Sequence, residues 1–182
     1  MRAFHLATLL GIGLALGGHA RLLAADSVPA PALFDNPVIA KGKCTPAGLE
    51  AITARMHAGL AAAGAQLDGV YYCLHHPDAA LDQYRVACDC RKPRPGLLRL
   101  AAEEHGVDLA ASVMIGDGLN DVQAGRAAGC LTILIAREKC ELCRKMEELG
   151  VRPDAIAPDL AATVRLLGSR IGRKGEENAD FS

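Results

Sequence analysis

Apolar residues recur at Leu49, Ile52, Met56 and Leu60, a three-to-four-residue spacing that predicts a helix with one apolar face. Thr45-Pro46 predicts its start, with Thr as N-cap and Pro at the first helical position, and Gly64 is placed to end it. Ser112 to Ile115 and Leu131 to Ile135 are short apolar runs without that period and read as buried strands. Gly69 to Tyr72 and Asp154 to Ala157 are β-prone. Helices are predicted from Pro95-Gly96 to about Glu104, over Ala124 to Ala128 with a stop at Gly129, near Glu138 to Leu149, and over Pro158 to Leu167. Strands alternating with helices predict an α/β domain built on a parallel, doubly wound sheet, with neither an internal repeat nor a second domain.

Three stretches fall outside this alternation. Ser27 to Pro37, punctuated by Pro29, Pro31 and Pro37, reads as an irregular connector. Cys73 to Pro95 has little periodicity, and so long a loop in a compact domain needs something to hold it together. At the N-terminus Arg2 precedes an apolar run from Leu6 to Leu16, followed by Gly18-His19-Ala20. That is the pattern of a secretory signal peptide; a helix of the domain and a replaced N-terminus are the alternatives. The run is too short for a stable membrane span. The predicted layout is an apolar leader and Pro-rich connector over 1–36, one domain over 37–168, and a polar tail over 169–182 that frays from Gly172 onward.

Composition sharpens the class. The chain is 51% apolar but has three Phe, three Tyr and no Trp, so Ala, Leu, Val and Ile must fill the core, as in covered parallel sheets. A net charge of -1 without a basic run excludes the clustered cations that nucleic-acid binding needs. Seven cysteines, an odd count with tight pairs at Cys88/Cys90 and Cys140/Cys143, favour thiolate chemistry over a disulfide framework. A reducing, cytoplasmic setting is expected, or an exported one if residues 1–25 are a signal.

Cys73-Leu74-His75 and Cys88-Asp89-Cys90 supply three thiolates and an imidazole around the 76–87 stretch. Four such ligands with no open position define a structural zinc site. His76 competes with His75 on spacing alone. Cys140 and Cys143 form Cys-x-x-Cys at a helix start, outside a thioredoxin-type unit, and read as helix cysteines more than as a metal or redox pair. Arg91-Lys92-Pro93-Arg94-Pro95-Gly96 follows the second cysteine pair; cations stiffened by prolines suit an anion such as phosphate, the alternative being a solvated basic turn. Gly116-Asp117-Gly118-Leu119-Asn120-Asp121 puts carboxylates at a strand's carboxyl end, where α/β sheets bind ligands and Mg2+ finds hard oxygens. Helix capping is the plainer role for Asp117 or Asn120.

Cys73-Leu74-His75-His76-Pro77, Cys88-Asp89-Cys90-Arg91-Lys92-Pro93 and Gly116-Asp117 with Asp121, together with Val38-Ile39-Ala40-Lys41-Gly42 and Pro153-Asp154, resemble the haloacid dehalogenase (HAD) superfamily. The resemblance is to its subfamily IIIA, the histidinol-phosphatase and D-glycero-D-manno-heptose-1,7-bisphosphate 7-phosphatase branch, and runs from about Pro37 to Leu167. It implies a HAD-like Rossmannoid fold acting on a small phosphorylated metabolite. It implies zinc on Cys73, His75, Cys88 and Cys90, Mg2+ on Asp117 with Asp121 in support, Lys92 as the phosphate-stabilising catalytic lysine, and Arg91 gripping substrate. The family's nucleophile lies in an Asp-x-Asp-Gly-Thr motif near the N-terminus, and no Asp-x-Asp occurs in these 182 residues. The family's Thr-Asn-Gln is replaced by Phe34-Asp35-Asn36, and the register set by Pro37-Val38-Ile39 argues against Asp35 as a substitute nucleophile. The resemblance thus predicts a sheet short of its first, central strand and impaired hydrolysis, because a missing nucleophile removes the covalent step. The alternative is an inactive, zinc-stabilised remnant that binds a phosphorylated ligand or a protein partner.

Overall fold

The computed structural model of the protein describes residues 8–10, 30–137 and 140–176. Six strands, β1 (Thr8–Leu10), β2 (Ala32–Asp35), β3 (Val70–Cys73), β4 (Val113–Gly116), β5 (Leu131–Ile135) and β6 (Ala155–Ala157), form one sheet in the order β3-β2-β1-β4-β5-β6. Every neighbouring pair is parallel. The order steps outward from β1 to β3, then returns to the other side of β1 for β4. This is a doubly wound α/β sheet, and its ligand crevice lies beyond the carboxyl ends of the strands where the order reverses.

Five helices accompany it: α1 (Pro46–Ala62), α2 (Gly96–His105), α3 (Leu119–Ala128), α4 (Cys140–Leu149) and α5 (Leu160–Glu176). Successive side chains of a strand point to opposite faces, and β4 divides the core accordingly. Met114 packs with Leu33, Cys73, Leu97, Leu98, Ala101 and Ala124 on the face covered by α2 and α3. Val113 and Ile115 pack with Ile133 and Ala157 against Leu160, Leu166 and Leu167 of α5. The aliphatic core expected from composition is present, and small residues let its layers close. Gly125 of α3 sits so near Met114 and Thr132 that a β-carbon there would overlap both.

The helix starts and stops follow their local chemistry. Thr45 caps α1, its Oγ1 accepting from the amide of Gly48 at 3.1 Å. Gly106 and Gly129 end α2 and α3 in the left-handed conformation that glycine adopts without steric cost. Only Leu49 of α1 is buried, and Ile52 on its expected apolar face is 58% exposed.

Two parts of the N-terminal segment differ from the sequence reading. The stretch read as a connector contains β2, because Pro29, Pro31 and Pro37 bracket a strand of four residues too short to show a pattern. Its Leu33 is nonetheless fully buried, and its pairing with β3 is carried past Asp35 by Asn36 N–H donating to Cys73 O at 2.9 Å. The centre of the sheet, for which no strand was legible, is filled by Thr8–Leu10 from within the apolar leader; Leu10 aligns with Ala32 on one side and Ile115 on the other. The proposed cleavage site at Gly18-His19-Ala20 lies outside the described residues. At the other end α5 continues through Gly172, where fraying was expected, to Glu176. Among the described residues no helix is long and apolar enough to cross a membrane.

Candidate metal and phosphate site

The carboxyl ends of β1 to β4 are Leu10, Asp35, Cys73 and Gly116, and the candidate site is built on the last three. β3 delivers Cys73 fully buried beside Asp35, its register partner on β2. The following loop returns to place Cys73 Sγ 3.7 Å from Cys88 Sγ and 3.2 Å from Cys90 Sγ, with His75 Nδ1 3.3 Å from Cys90 Sγ. All four donor atoms lie within 4.8 Å of one another. A tetrahedral zinc with bonds of about 2.3 Å to sulfur and about 2.0 Å to nitrogen has donor separations of about 3.5–3.8 Å, so both donor set and spacing fit a closed zinc site. Among the described residues this is the one such grouping of metal-ligating side chains.

His75, not His76, joins the cysteines. His76 Nδ1 instead accepts from the amide of Asp78 at 3.0 Å, closing a local turn. Burial raises the Cys73 and Cys90 thiols above the ordinary thiol value, and contact with Cys88 raises both further. For Cys88 burial acts in the same direction, but hydrogen bonding with Cys90, the Arg91 amide and Cys73 outweighs it and the thiol is lowered. Crowded, poorly solvated sulfurs are a setting in which a bound cation would stabilise thiolates.

Outside the cluster, the loop is tied back by backbone groups. Ala80 and Leu81 amides both donate to Ala40 O at 2.8 and 3.2 Å, and His76 N–H donates to Tyr84 O at 3.0 Å. The basic segment staples the same loop: Arg91 Nη1 donates to His75 O at 3.1 Å and Arg94 Nη1 to Cys88 O at 2.7 Å. Gly96, whose amide donates to Asp89 O at 2.9 Å, has no room for a β-carbon against the Asp89 and Cys90 backbone.

Between these arginines Lys92 turns inward. Its Nζ donates to Asp121 Oδ1 at 2.6 Å and to Leu33 O at 3.2 Å, and the two side chains are 9% and 8% exposed. The other oxygen of Asp121 accepts from Gly118 N–H at 3.0 Å, locking the carboxylate at the start of α3. Gly116 makes this possible, because a β-carbon there would run into the Asp121 carboxylate. Asp117 lies one residue beyond β4 and is exposed.

Asp35, weighed in the sequence only as a substitute nucleophile, lies beside Lys92. Its Oδ1 accepts from the Lys92 amide at 3.3 Å. Burial pushes its carboxyl above the ordinary carboxylate value, although Lys92 and Arg91 attract the charged form; Asp121 adds to the rise. The signal that could have found Asp35 was positional: it ends a strand neighbouring the predicted ligand edge. Cys143 stays exposed on α4 and joins no metal-ligating group among the described residues.

A buried lysine held by a carboxylate at the start of α3 thus lies beside a Cys/His cluster on the carboxyl edge of a doubly wound sheet. The HAD-hydrolase-like family matches residues 89–163. The solved D,D-heptose 1.7-bisphosphate phosphatase from B. bronchiseptica, complexed with magnesium and phosphate, superposes with a TM-score of 0.64 at 33% identity, covering 78% of this chain and 75% of that one. The chain belongs to the HAD superfamily.

Several curated relatives share one activity in their names. The D-glycero-beta-D-manno-heptose-1,7-bisphosphate 7-phosphatase of Salmonella typhi is 46% identical over 99 residues, 54% of this chain and 53% of that protein. The phosphatase of the same name from Vibrio cholerae is 40% identical over 112 residues, 62% and 60% of the two chains. The chain thus spans about half the length of the curated relatives it matches.

Proposed function

We propose that this chain is a HAD phosphatase-type protein that engages a phosphorylated sugar or similar small metabolite, of the heptose 1,7-bisphosphate kind, and that its hydrolytic step is impaired. The observation that carries this reading is the buried Lys92–Asp121 pair at the carboxyl edge of the sheet. Lys92 is the phosphate-stabilising group, Arg91 assists substrate binding from the neighbouring position, and zinc on Cys73, His75, Cys88 and Cys90 holds the loop that carries both. Asp117, exposed at the end of β4, is the Mg2+ ligand with Asp121 in support; the ion, when bound, supplies positive charge to phosphoryl oxygens. Asp121 holds Lys92 in place, and the Gly118 amide holds Asp121.

The impairment rests on the centre of the sheet. β1 carries Thr8-Leu9-Leu10, the chain continues Gly11-Ile12-Gly13, and no Asp-x-Asp occurs in the sequence. The cations at the edge can hold an anion but cannot replace an attacking oxygen. The same observation favours a second reading, a zinc-stabilised domain that binds a phosphorylated ligand or a protein partner without turnover. A cytoplasmic setting belongs to both, since reduced thiols are needed for the metal.

The test is an assay of the zinc-loaded chain with heptose 1,7-bisphosphate and Mg2+, paired with a binding titration. Binding weakened by Lys92→Ala, with no released phosphate, is the expected result. Mg2+-dependent turnover that Asp117→Asn abolishes would overturn the impairment. Binding that ignores Lys92→Ala, or no binding at all, would overturn the ligand reading.

A further inference from the structure

We propose that Asp35 is a built-in occupant of the anion position, a carboxylate that competes with phosphate for the Lys92 and Arg91 region and so sets the affinity and charge of the ligand accepted. The proposal rests on the phosphate reading above and deepens it.

The argument begins with donors. At the carboxyl edge the groups able to greet an anion include, among the described residues, the Lys92 amide, the Lys92 ammonium and the Arg91 guanidinium. The first already donates to Asp35 Oδ1 at 3.3 Å, the second to Asp121 Oδ1 at 2.6 Å, and the third to His75 O at 3.1 Å. Asp35 is placed there by backbone, not by a flexible arm: it ends β2 in register with Cys73, and the next amide, of Asn36, donates to Cys73 O. An incoming phosphoryl oxygen reaching for the Lys92 amide therefore meets a carboxylate whose backbone is fixed in β2 and whose Oδ1 already accepts from that amide.

Charge makes the same point. Lys92 and Arg91 bring two positive charges, while Asp35 and Asp121 bring two negative ones. Of these, Lys92 and Arg91 favour the charged form of Asp35 and Asp121 opposes it. The pairs cancel, so a phosphoryl dianion arriving without a metal finds no net attraction and two like charges nearby. In a half-buried site that repulsion is screened far less than at the surface. Burial already leaves Asp35 itself short of positive compensation, so the site has none to spare for a second anion. A neutral residue at position 35 would return the surplus charge to the ligand.

The experiment is calorimetric titration of inorganic phosphate into the zinc-loaded full chain near neutral pH, with no magnesium added. Asp35→Asn keeps an oxygen acceptor for the Lys92 amide while removing the charge. Asp35→Ser serves as a second variant, smaller and also neutral, should the first fold poorly. Both are expected to bind phosphate about tenfold tighter than the natural chain, or more, and adding Lys92→Ala is expected to abolish the gain. Equal or weaker binding by the neutral variants, with Lys92→Ala still reducing it, would overturn the role of Asp35 and leave the phosphate reading standing. Phosphate binding that is absent, or indifferent to Lys92→Ala, in every variant would overturn both.

Discussion

The metal cluster and the central strand share one edge of one sheet, yet they differ in what their residues bring to it. Around Cys73 the chain invests four ligating side chains, two arginine staples and a glycine with no spare volume. At the end of β1, flanked on both sides by strands that carry functional side chains, it brings Thr8-Leu9-Leu10 followed by Gly11-Ile12-Gly13. A backbone position in a sheet asks only for hydrogen-bonding partners and acceptable packing, so many sequences can fill it. A chemical position asks for a particular atom. A strand can therefore complete the backbone of a sheet whatever side chains it carries, while the chemistry at the same edge is set by particular residues on its neighbours.

Breaking the metal side should have the largest effect. Cys88→Ser or Cys73→Ala is expected to lower bound zinc from about one per chain to nearly none, measured by metal analysis after dialysis. Residues 74–90 should then become the first site of proteolysis, because their backbone ties to the rest of the domain are those of Ala80 and Leu81 to Ala40 and of Asp89 to Gly96. Structural zinc contributes directly to folding free energy, so thermal stability should fall with the metal content. His76→Ala should leave zinc content unchanged, since its ring closes a turn with Asp78.

Next comes the buried pair that joins the two regions. Lys92→Ala leaves Asp121 buried with only the Gly118 amide as partner, and breaking a buried ion pair from one side costs about 3–5 kcal/mol. Replacing both partners together, Lys92→Met with Asp121→Leu, should recover much of that loss, because burying two charges is itself unfavourable. Chemical denaturation of the two variants checks the order. A double variant no more stable than Lys92→Ala would mean that Lys92 contributes through its bond to Leu33 O, not through the pair. Gly116→Ala should act in the same direction with a smaller cost, about 1–3 kcal/mol, by pushing the Asp121 carboxylate off its present position.

Those sites were legible in the sequence to different depths, for physical reasons. Cys73, His75, Cys88 and Cys90 were readable because zinc imposes donor types and short spacings. Spacing alone did not separate His75 from His76; the resemblance favoured His75, and the coordinates place that ring with the cysteines. Lys92, Asp117 and Asp121 were readable as a hinge and a strand end, but not the fact that Lys92 reaches Asp121 across 29 positions of sequence. The alternation of β4, α3 and β5 emerged from apolar runs. β2 did not, because prolines on either side mask a strand whose burial comes from neighbours. β1 was hidden for another reason: a short apolar run with glycines serves equally as a signal segment or as the middle of a sheet. The place of Asp35 beside Lys92 was not legible, because it depends on which strand and loop lie next to it.

The smallest effect belongs to a carboxylate on the far flank, and it isolates what makes Asp35 unusual. Asp154, just before β6, accepts from the Thr132 amide at 2.7 Å and the Thr132 hydroxyl at 2.8 Å. Burial would raise it, but those bonds and the nearby Arg126 outweigh burial and hold its carboxyl below the ordinary value, the reverse of Asp35. A depressed carboxyl stabilises the fold fully above its unfolded value, about 3.8, and the contribution is lost as pH falls through the lower folded value. Asp154→Ala should cost about 1 kcal/mol at neutral pH, at the low end for an orphaned buried donor because Asp154 itself is solvent-exposed. Asp154→Asn should cost less, since an amide oxygen can still serve Thr132. Stability measured against pH should bring the natural chain and the Asn variant together in acid and separate them above that carboxylate value, whereas for Asp35→Asn any gain should grow as pH rises. Zinc content and phosphate affinity should stay unchanged in both Asp154 variants, because Asp154 precedes β6 at the amino edge of the parallel sheet, whereas the Lys92 site lies at the carboxyl edge.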